Sequence, residues 1–397
     1  MKNYFISILF LFSISFAGLI LPEDGATLSA THVKFEWEQV PDATSYIISF
    51  TLIGPGLEIE FETESLIYIT GNDLPSDAIG PSSILGWSSW YQWKVRPKFS
   101  DGSLGNLIGT RTFHVSDTRS SATATGSYEG DDITIFSSFL DYYSAAIDKD
   151  GNEIWNTEDE NLIFYNTDYY GQLFGAKYDN NLENNLPVVE FNLNNDIIWQ
   201  EPNEYFSHHE MIQLPNGNYM SIVEDIRLGP IPNNLPNNLS ELFSFLGYIV
   251  DGITPEFPWA GDRIVEWDIN GNEVWSWSTF DYYSQLDYDI IAGTWSAAFN
   301  DDRFDWTHAN AFWFSEEENA IYFSVRHLSR ITKIDYTTGE IIWNMGLEMP
   351  SGDVDCGQEL GFSFQHSIIQ TDDGNLITFD NGNLSNTING TNYPTSR

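Results

Sequence analysis

From Leu19 to Val115 apolar and polar positions alternate in short runs. Val33, Phe35 and Trp37 share one side of a run, and Tyr46, Ile48 and Phe50 share one side of the next. Tyr91-Gln92-Trp93-Lys94-Val95-Arg96-Pro97 alternates in the same way. A period of two is the mark of a half-buried strand. Pro22 and Gly25 open the segment, Val40-Pro41-Asp42-Ala43 turns it, and Thr112-Phe113-His114-Val115 closes it. Turns at roughly every 8–15 residues predict a β-sandwich over residues 18–115. Residues 116–127, rich in Ser, Thr, Ala and Gly, read as a linker.

Beyond the linker, over residues 128–397, the chain repeats itself. Asp150-Gly151-Asn152-Glu153-Ile154-Trp155, Asn195-Asp196-Ile197-Ile198-Trp199, Asn270-Gly271-Asn272-Glu273-Val274-Trp275 and Thr338-Gly339-Glu340-Ile341-Ile342-Trp343 are one motif. Each is a tight turn followed by a strand ending in Trp. The tryptophans lie 44, 76 and 68 residues apart. The first spacing fits one β-propeller blade; the others fit a blade with an insertion, or two blades with one degenerate copy. Radial closure protects the sheet edges, so a propeller is predicted. Gln200 to Arg263 holds the largest irregular stretch. Its Gly229–Pro236 and Pro255–Trp259 segments are too proline-rich to read as ladders, and Glu224–Arg263 reads as a lid or a plain surface insertion.

A second repeat interleaves with the first. His209-Glu210-Met211-Ile212-Gln213-Leu214-Pro215-Asn216-Gly217-Asn218 aligns with His366-Ser367-Ile368-Ile369-Gln370-Thr371-Asp372-Asp373-Gly374-Asn375. Each His lies eight residues before the Gly of a Gly-Asn turn, so the two occupy equivalent places in two blades. On inner strands both would face the central channel. Neighbouring strand residues face opposite sides, so the repeat selects His209 over His208.

Composition narrows the partners. Aromatics at 15% and hydrophobic residues at 42% supply large cores and exclude intrinsic disorder. Lys plus Arg number 16 against 58 Asp plus Glu, a net charge of -42 that repels nucleic acid and anionic lipid. Cys356, the single cysteine, makes neither an intrachain disulfide nor a thiolate metal cage. The apolar run Tyr4 to Ile14, ending in Ser15-Phe16-Ala17, is too short to span a bilayer and reads as a signal peptide over 1–17. A secreted or periplasmic protein without membrane insertion is expected, where cytosolic nucleotides are absent.

In so acidic a chain the few cations stand out. Arg326 lies in the run Ile321-Tyr322-Phe323-Ser324-Val325-Arg326-His327, on the side opposite Ile321, Phe323 and Val325, and needs an anionic partner. Asp305-Trp306-Thr307-His308-Ala309-Asn310 places His308 and Asn310 at i and i+2, on one strand face. Singly, each His reads as a hydrogen-bonded core residue and Arg326 as a buried cation paired with a carboxylate. Together, His209, His308, Asn310, Arg326 and His366 could cradle a tetrahedral oxyanion, and a neutral imidazole could attack its phosphorus or sulfur. A zinc site built from the three imidazoles is the competing geometric use. Asp148-Lys149-Asp150-Gly151-Asn152 breaks the EF-hand pattern and reads as a β-turn.

Two resemblances add to this. The N-terminal pattern resembles fibronectin type III-like modules, which implies a spacer or a homodimer surface. The strings around His209, Asp305–Asn310, Ser324–His327 and Gln365-His366 with Phe379-Asp380-Asn381-Gly382-Asn383 look like bacterial arylsulfate sulfotransferases over roughly residues 120–397. That resemblance implies a six-bladed propeller, its last blade either incomplete here or closed in an unusual way, that moves a sulfuryl group from a phenolic sulfate ester to a phenol. The donor PAPS, a metal and any other cofactor are not needed. It implies that His366 carries the group, that His209, Asn310 and Arg326 hold its oxygens, and that His308 moves the phenolic proton. A non-catalytic propeller binding a glycan or protein partner, and a quinoprotein-like redox propeller, are the rival expectations.

Overall fold

The computed structural model describes residues 17–71, 83–123, 125, 130, 132–168, 170–178, 186–202, 207–390, 392 and 394–396. The expected signal peptide lies outside the described residues except for Ala17, as do positions 124, 126 and 127 of the expected linker. Strand outweighs helix, 45% to 7%, so the chain is all-β. Among the described residues no helix is long and apolar enough to cross a membrane. Two compact units divide at Glu160 and Asn161.

In the first unit two sheets face each other. Leu19–Leu21, Lys34–Trp37 and Ile67–Ile69 form one; Ala26–Leu28, Gly109–Val115, Ser89–Phe99, Ala43–Leu52 and Leu57–Thr63 form the other. The alternating residues meet in the core between them. Phe35 packs edge-on against Phe50 at 4.8 Å and Trp93 at 5.1 Å, geometries that suit the ring quadrupoles. A further three-stranded sheet, Thr134–Ser138, Tyr143–Ile147 and Glu153–Asn156, also clusters with this unit, although it follows the expected linker. Backbone bonds explain that: Thr31 donates to the Ile154 carbonyl and Asn156 to that of Ser29. The Trp87 indole donates to the Glu153 carbonyl at 2.8 Å, and the Glu153 carboxylate takes the Arg119 and Ser120 amides.

The second unit is built from meanders whose strands follow chain order. Leu162–Thr167, Leu173–Lys177, Val188–Phe191 and Ile197–Gln200 make the first. Ser207–Gln213, Tyr219–Pro230, Pro255–Trp267 and Glu273–Ser278 make the second, with Phe304–Asp305 added in parallel. Ala309–Ser315, Ala320–Val325, Arg330–Asp335 and Ile341–Gly346 make the third. The pair His366–Gln370 and Leu376–Phe379 ends the series, and the first strands of successive sheets adjoin. Each Trp of the motif sits on the last strand of its sheet. Three of the four preceding turns share one chemistry. Asp148, Asn192 and Asp268 accept through Oδ1 from amides two and four residues on. Gly151, Asn195 and Gly271 take the left-handed conformation these turns need, with φ of 84°, 67° and 81°.

The long spacings come from insertions. Tyr219–Pro230 and Pro255–Trp267 are one extended hairpin paired as far as Pro230 and Pro255. The proline-based expectation is thus wrong for Gly229-Pro230 and for Pro255–Trp259. Pro255 and Pro258 lie beyond the reach of Glu273–Ser278, which pairs with 263–267, so the strand there does not need every amide. The inserted segment is not loosely held either. Ile231, Leu235, Leu239, Phe243 and Phe257 share a buried core with Trp259, Trp295, Phe304 and Trp306.

Arg330 is fully buried, ion-paired with Asp287 at 2.7 Å and laid over the Tyr283 ring. Asp287 also accepts from the Ser351 amide and hydroxyl. Removing one partner of such a pair strands a buried charge. Asp287→Ala is expected to cost about 3 kcal/mol in denaturant unfolding.

Candidate active site

All five residues singled out in the sequence lie where the first strands of the last three sheets begin and the strand Ala320–Val325 ends, and irregular backbone puts them there. The ladder slips between His208 and Met211, between Ala309 and Ala311, and between His366 and Ile369. His209 and His308 adopt left-handed backbone with φ of 64° and 46°, and Ser367, next to His366, has φ 62°. Three bulges at equivalent places re-aim three imidazoles. The His209 ring lies 5.6 Å from that of His308 and 6.3 Å from that of His366.

The bulge breaks the alternation on which the choice between His208 and His209 rested. Strict alternation would part their side chains; instead the two Nδ1 atoms lie 2.8 Å apart, and His208 Nε2 meets Asp262 Oδ1 at 3.0 Å. Arg326 also departs from expectation. The strand ends at Val325, so Arg326 sits in the following turn rather than on a strand face. His308 stands just before its strand and Asn310 is itself the bulged residue, so the i, i+2 argument does not apply to them.

The site is a recess rather than a core. His209 is exposed, and His308, Arg326 and His366 are half-buried. Protein nevertheless surrounds His209: that enclosure, then the neighbouring His208, His308 and His366, drive its pKa down to about 2. Burial, then the Arg326 charge, also lowers His366. Both rings are therefore neutral and keep a lone pair. His366 Nδ1 is buried, and hydrogen bonding by the Asn381 side chain and the Phe364 backbone partly offsets the lowering.

Arg326 takes part in no ion pair among the described residues. Its Nη1 lies 2.7 Å from His327 Nε2, its plane covers Phe364 at 5.0 Å, and its Nε has no partner. His327 is built to accept that bond. Its Nδ1 meets the Asp305 carbonyl at 2.7 Å, and burial, against the pull of Asp305, lowers its pKa to about 4. A neutral ring that donates through Nδ1 offers Nε2 to the guanidinium.

Asp305 also engages His308 Nδ1. Burial would raise the Asp305 carboxyl; the His308 hydrogen bond and the His308, His327 and His208 charges outweigh it and hold the group at about 2. Asn310 donates to the Gln365 carbonyl at 2.7 Å, and Gln365 donates to the Arg330 carbonyl at 2.9 Å, which steadies the backbone before His366. Asn310 Oδ1 is left buried and unpartnered. His208, Asp262, Asp305, His327 and Gln365 went unassigned in the sequence. Of these, Asp305, His327 and Gln365 lie inside the quoted strings and His208 was set aside in favour of His209; Asp262 alone carried no signal.

Asp305, His308 and His327 place three possible metal-ligand atoms within 4.8 Å. The fit is poor, because both His327 nitrogens are engaged and the Arg326 cation adjoins them. The donors suit an anion better: a guanidinium in no ion pair among the described residues although the Asp305 charge reaches it, a buried amide and neutral imidazoles.

Residues 255–395 match the family model of the arylsulfotransferases (ASST). That region is an arylsulfotransferase domain. It holds His308, Asn310, Arg326 and His366, while His209 lies upstream of it, and it implies a sulfotransferase acting on aryl sulfates. No curated protein matches the chain. Kuenenia stuttgartiensis hydrazine synthase is similar over 83% of this chain and 80% of its own, at 11% identity and a TM-score of 0.31. An α-L-rhamnosidase from Dictyoglumus thermophilum is similar over 65% and 28%, at 9% and 0.20. Likeness that loose carries no argument.

Proposed function

We propose that the chain is an exported, PAPS-independent arylsulfate sulfotransferase with a propeller behind a fibronectin type III-like module. The carrying observation is Arg326, a guanidinium in no ion pair among the described residues, which acts on His366 where the His209 ring adjoins those of His308 and His366. The His366 lone pair attacks the sulfur of an aryl sulfate, and the bond from sulfur to the phenolic oxygen breaks. The leaving phenolate takes its proton from His308, whose charged form the Asp305 carboxylate steadies. Arg326, helped by the second N–H of Asn310, holds the sulfuryl oxygens while charge shifts onto them. A second phenol then gives up its proton and attacks the sulfohistidine, and the N–S bond breaks to restore His366.

Purified protein given a chromogenic aryl sulfate and a phenol acceptor should release the chromophore and yield the sulfated acceptor. Because burial and Arg326 lower the His366 pKa, the nucleophile stays unprotonated below the ordinary imidazole value of about 6.5. The acid limb of kcat/KM is expected below that pH. Absence of phenol release with every acceptor tried would defeat the proposal.

A further inference from the structure

One charged chain leads into the site from behind. Asp262, on the strand Pro255–Trp267, is 3% exposed and accepts three hydrogen bonds. Thr307 Oγ1 and the Ala309 amide donate to its Oδ2 at 2.5 and 2.7 Å, and His208 Nε2 lies 3.0 Å from its Oδ1. From the other side of that ring, His208 Nδ1 meets His209 Nδ1 at 2.8 Å. Glu224, Asp305 and His209 are the other charged or titratable groups acting on His208.

Two nitrogens that share a hydrogen bond need one proton between them, and a carboxylate only accepts. A His208 that holds a single proton carries it on Nε2, toward Asp262. Its Nδ1 is left as the acceptor, so His209 donates through Nδ1 and keeps a bare Nε2. We infer that Asp262 and His208 are positioning residues that fix the tautomer of His209, so that His209 presents a lone pair to the substrate and takes the proton of the acceptor phenol. This rests on the proposed sulfuryl transfer and changes one role in it. A lone pair repels a sulfuryl oxygen, so His209 is a base rather than an oxyanion donor. Burial first holds its pKa near 2, so the ring enters each turnover neutral and takes the proton only as the phenolic oxygen bonds to sulfur and its O–H becomes strongly acidic. Labour is then divided: His308 with Asp305 protonates the leaving phenol, and His209 with His208 and Asp262 deprotonates the incoming one. The proton passes back through solvent between the half-reactions.

Asp262→Asn tests the relay because its orientation is forced. The Thr307 hydroxyl and Ala309 amide both donate, so the asparagine must keep its carbonyl oxygen toward them and turn its NH2 to His208 Nε2. His208 then holds its proton on Nδ1, and His209 flips to the Nε2–H form. A wrong tautomer beside a reacting group is severely damaging, and kcat for sulfuryl transfer should fall by about a hundredfold or more. His208→Asn places a rotatable amide where Nδ1 was. Its oxygen can accept from His209 Nδ1 whatever occupies position 262, so the D262N/H208N double variant should recover at least about tenfold over D262N. Activity of D262N close to wild type, or a loss that the second substitution does not relieve, overturns the relay and leaves Asp262 as a clamp on Thr307 and Ala309. Should D262N fail to melt cooperatively, 15N-histidine NMR of the wild-type protein decides, with His209 assigned by its disappearance in His209→Gln. A protonated Nδ1 and bare Nε2 support the inference; a protonated Nε2 overturns it. That spectrum needs no substrate, so a protein with this tautomer that turns over no aryl sulfate would sink the proposed function and leave the relay standing.

Discussion

Alanine in place of His366 is expected to abolish sulfuryl transfer, lowering kcat by at least about a thousandfold, because neighbouring groups do not replace a missing nucleophile. His209 occupies the equivalent place in the sequence repeat and also lines the recess, so geometry alone leaves two candidates. Their surroundings separate them. His209 Nδ1 is tied to His208, whereas the His366 ring lies under the influence of Arg326, which would hold the sulfuryl group. His209→Ala should cost less, on the order of 10²–10³ in kcat. The direct measurement is mass spectrometry at alkaline pH after incubation with donor and no acceptor. The peptide containing His366 should carry the added sulfuryl mass, and finding it on the peptide containing His209 would reverse the two roles.

What the sequence revealed depended on whether the signal was local. The Trp-ended strands were legible because their turns carry their own chemistry, an Asx acceptor and a left-handed Gly or Asn, within five residues. His209 and His366 were legible because a repeat preserves position even when the backbone there is irregular. Arg326 was legible because cations are scarce. The bulges were not. Alternation assumes an unbroken pleat, so it parted His208 from His209 where one left-handed residue brings them together. The ladder through Pro255 and Pro258 was missed for the converse reason: proline reads as a breaker unless the strand is known to have one neighbour there. Asp262 stands 54 residues from His208 in an ordinary strand sequence, and only pairing of the sheet discloses it.

Arg326→Ala is the second large effect. A guanidinium that gathers the charge of a transferring phosphoryl group is worth about 10³–10⁵ in kcat, and a sulfuryl group presents the same tetrahedral oxygens. A loss of about a thousandfold or more is therefore expected, with Arg326→Lys recovering part of it, since an ammonium keeps the charge but not the fork. Stability should move little, because no carboxylate is left stranded when this cation goes; the largest orphan is His327 Nε2, which loses one donor. The acid limb of kcat/KM should also climb. Arg326 is among the causes that lower His366, so without it the imidazole protonates at higher pH and the lone pair is lost sooner as pH falls. Three readouts therefore move together for an anion clamp: kcat falls, the melting temperature holds and the acid limb shifts toward neutrality. A structural Arg326 would behave in the opposite way, with a fall of many degrees in melting temperature and an unmoved pH profile, and that pattern would remove the observation on which the proposed function stands.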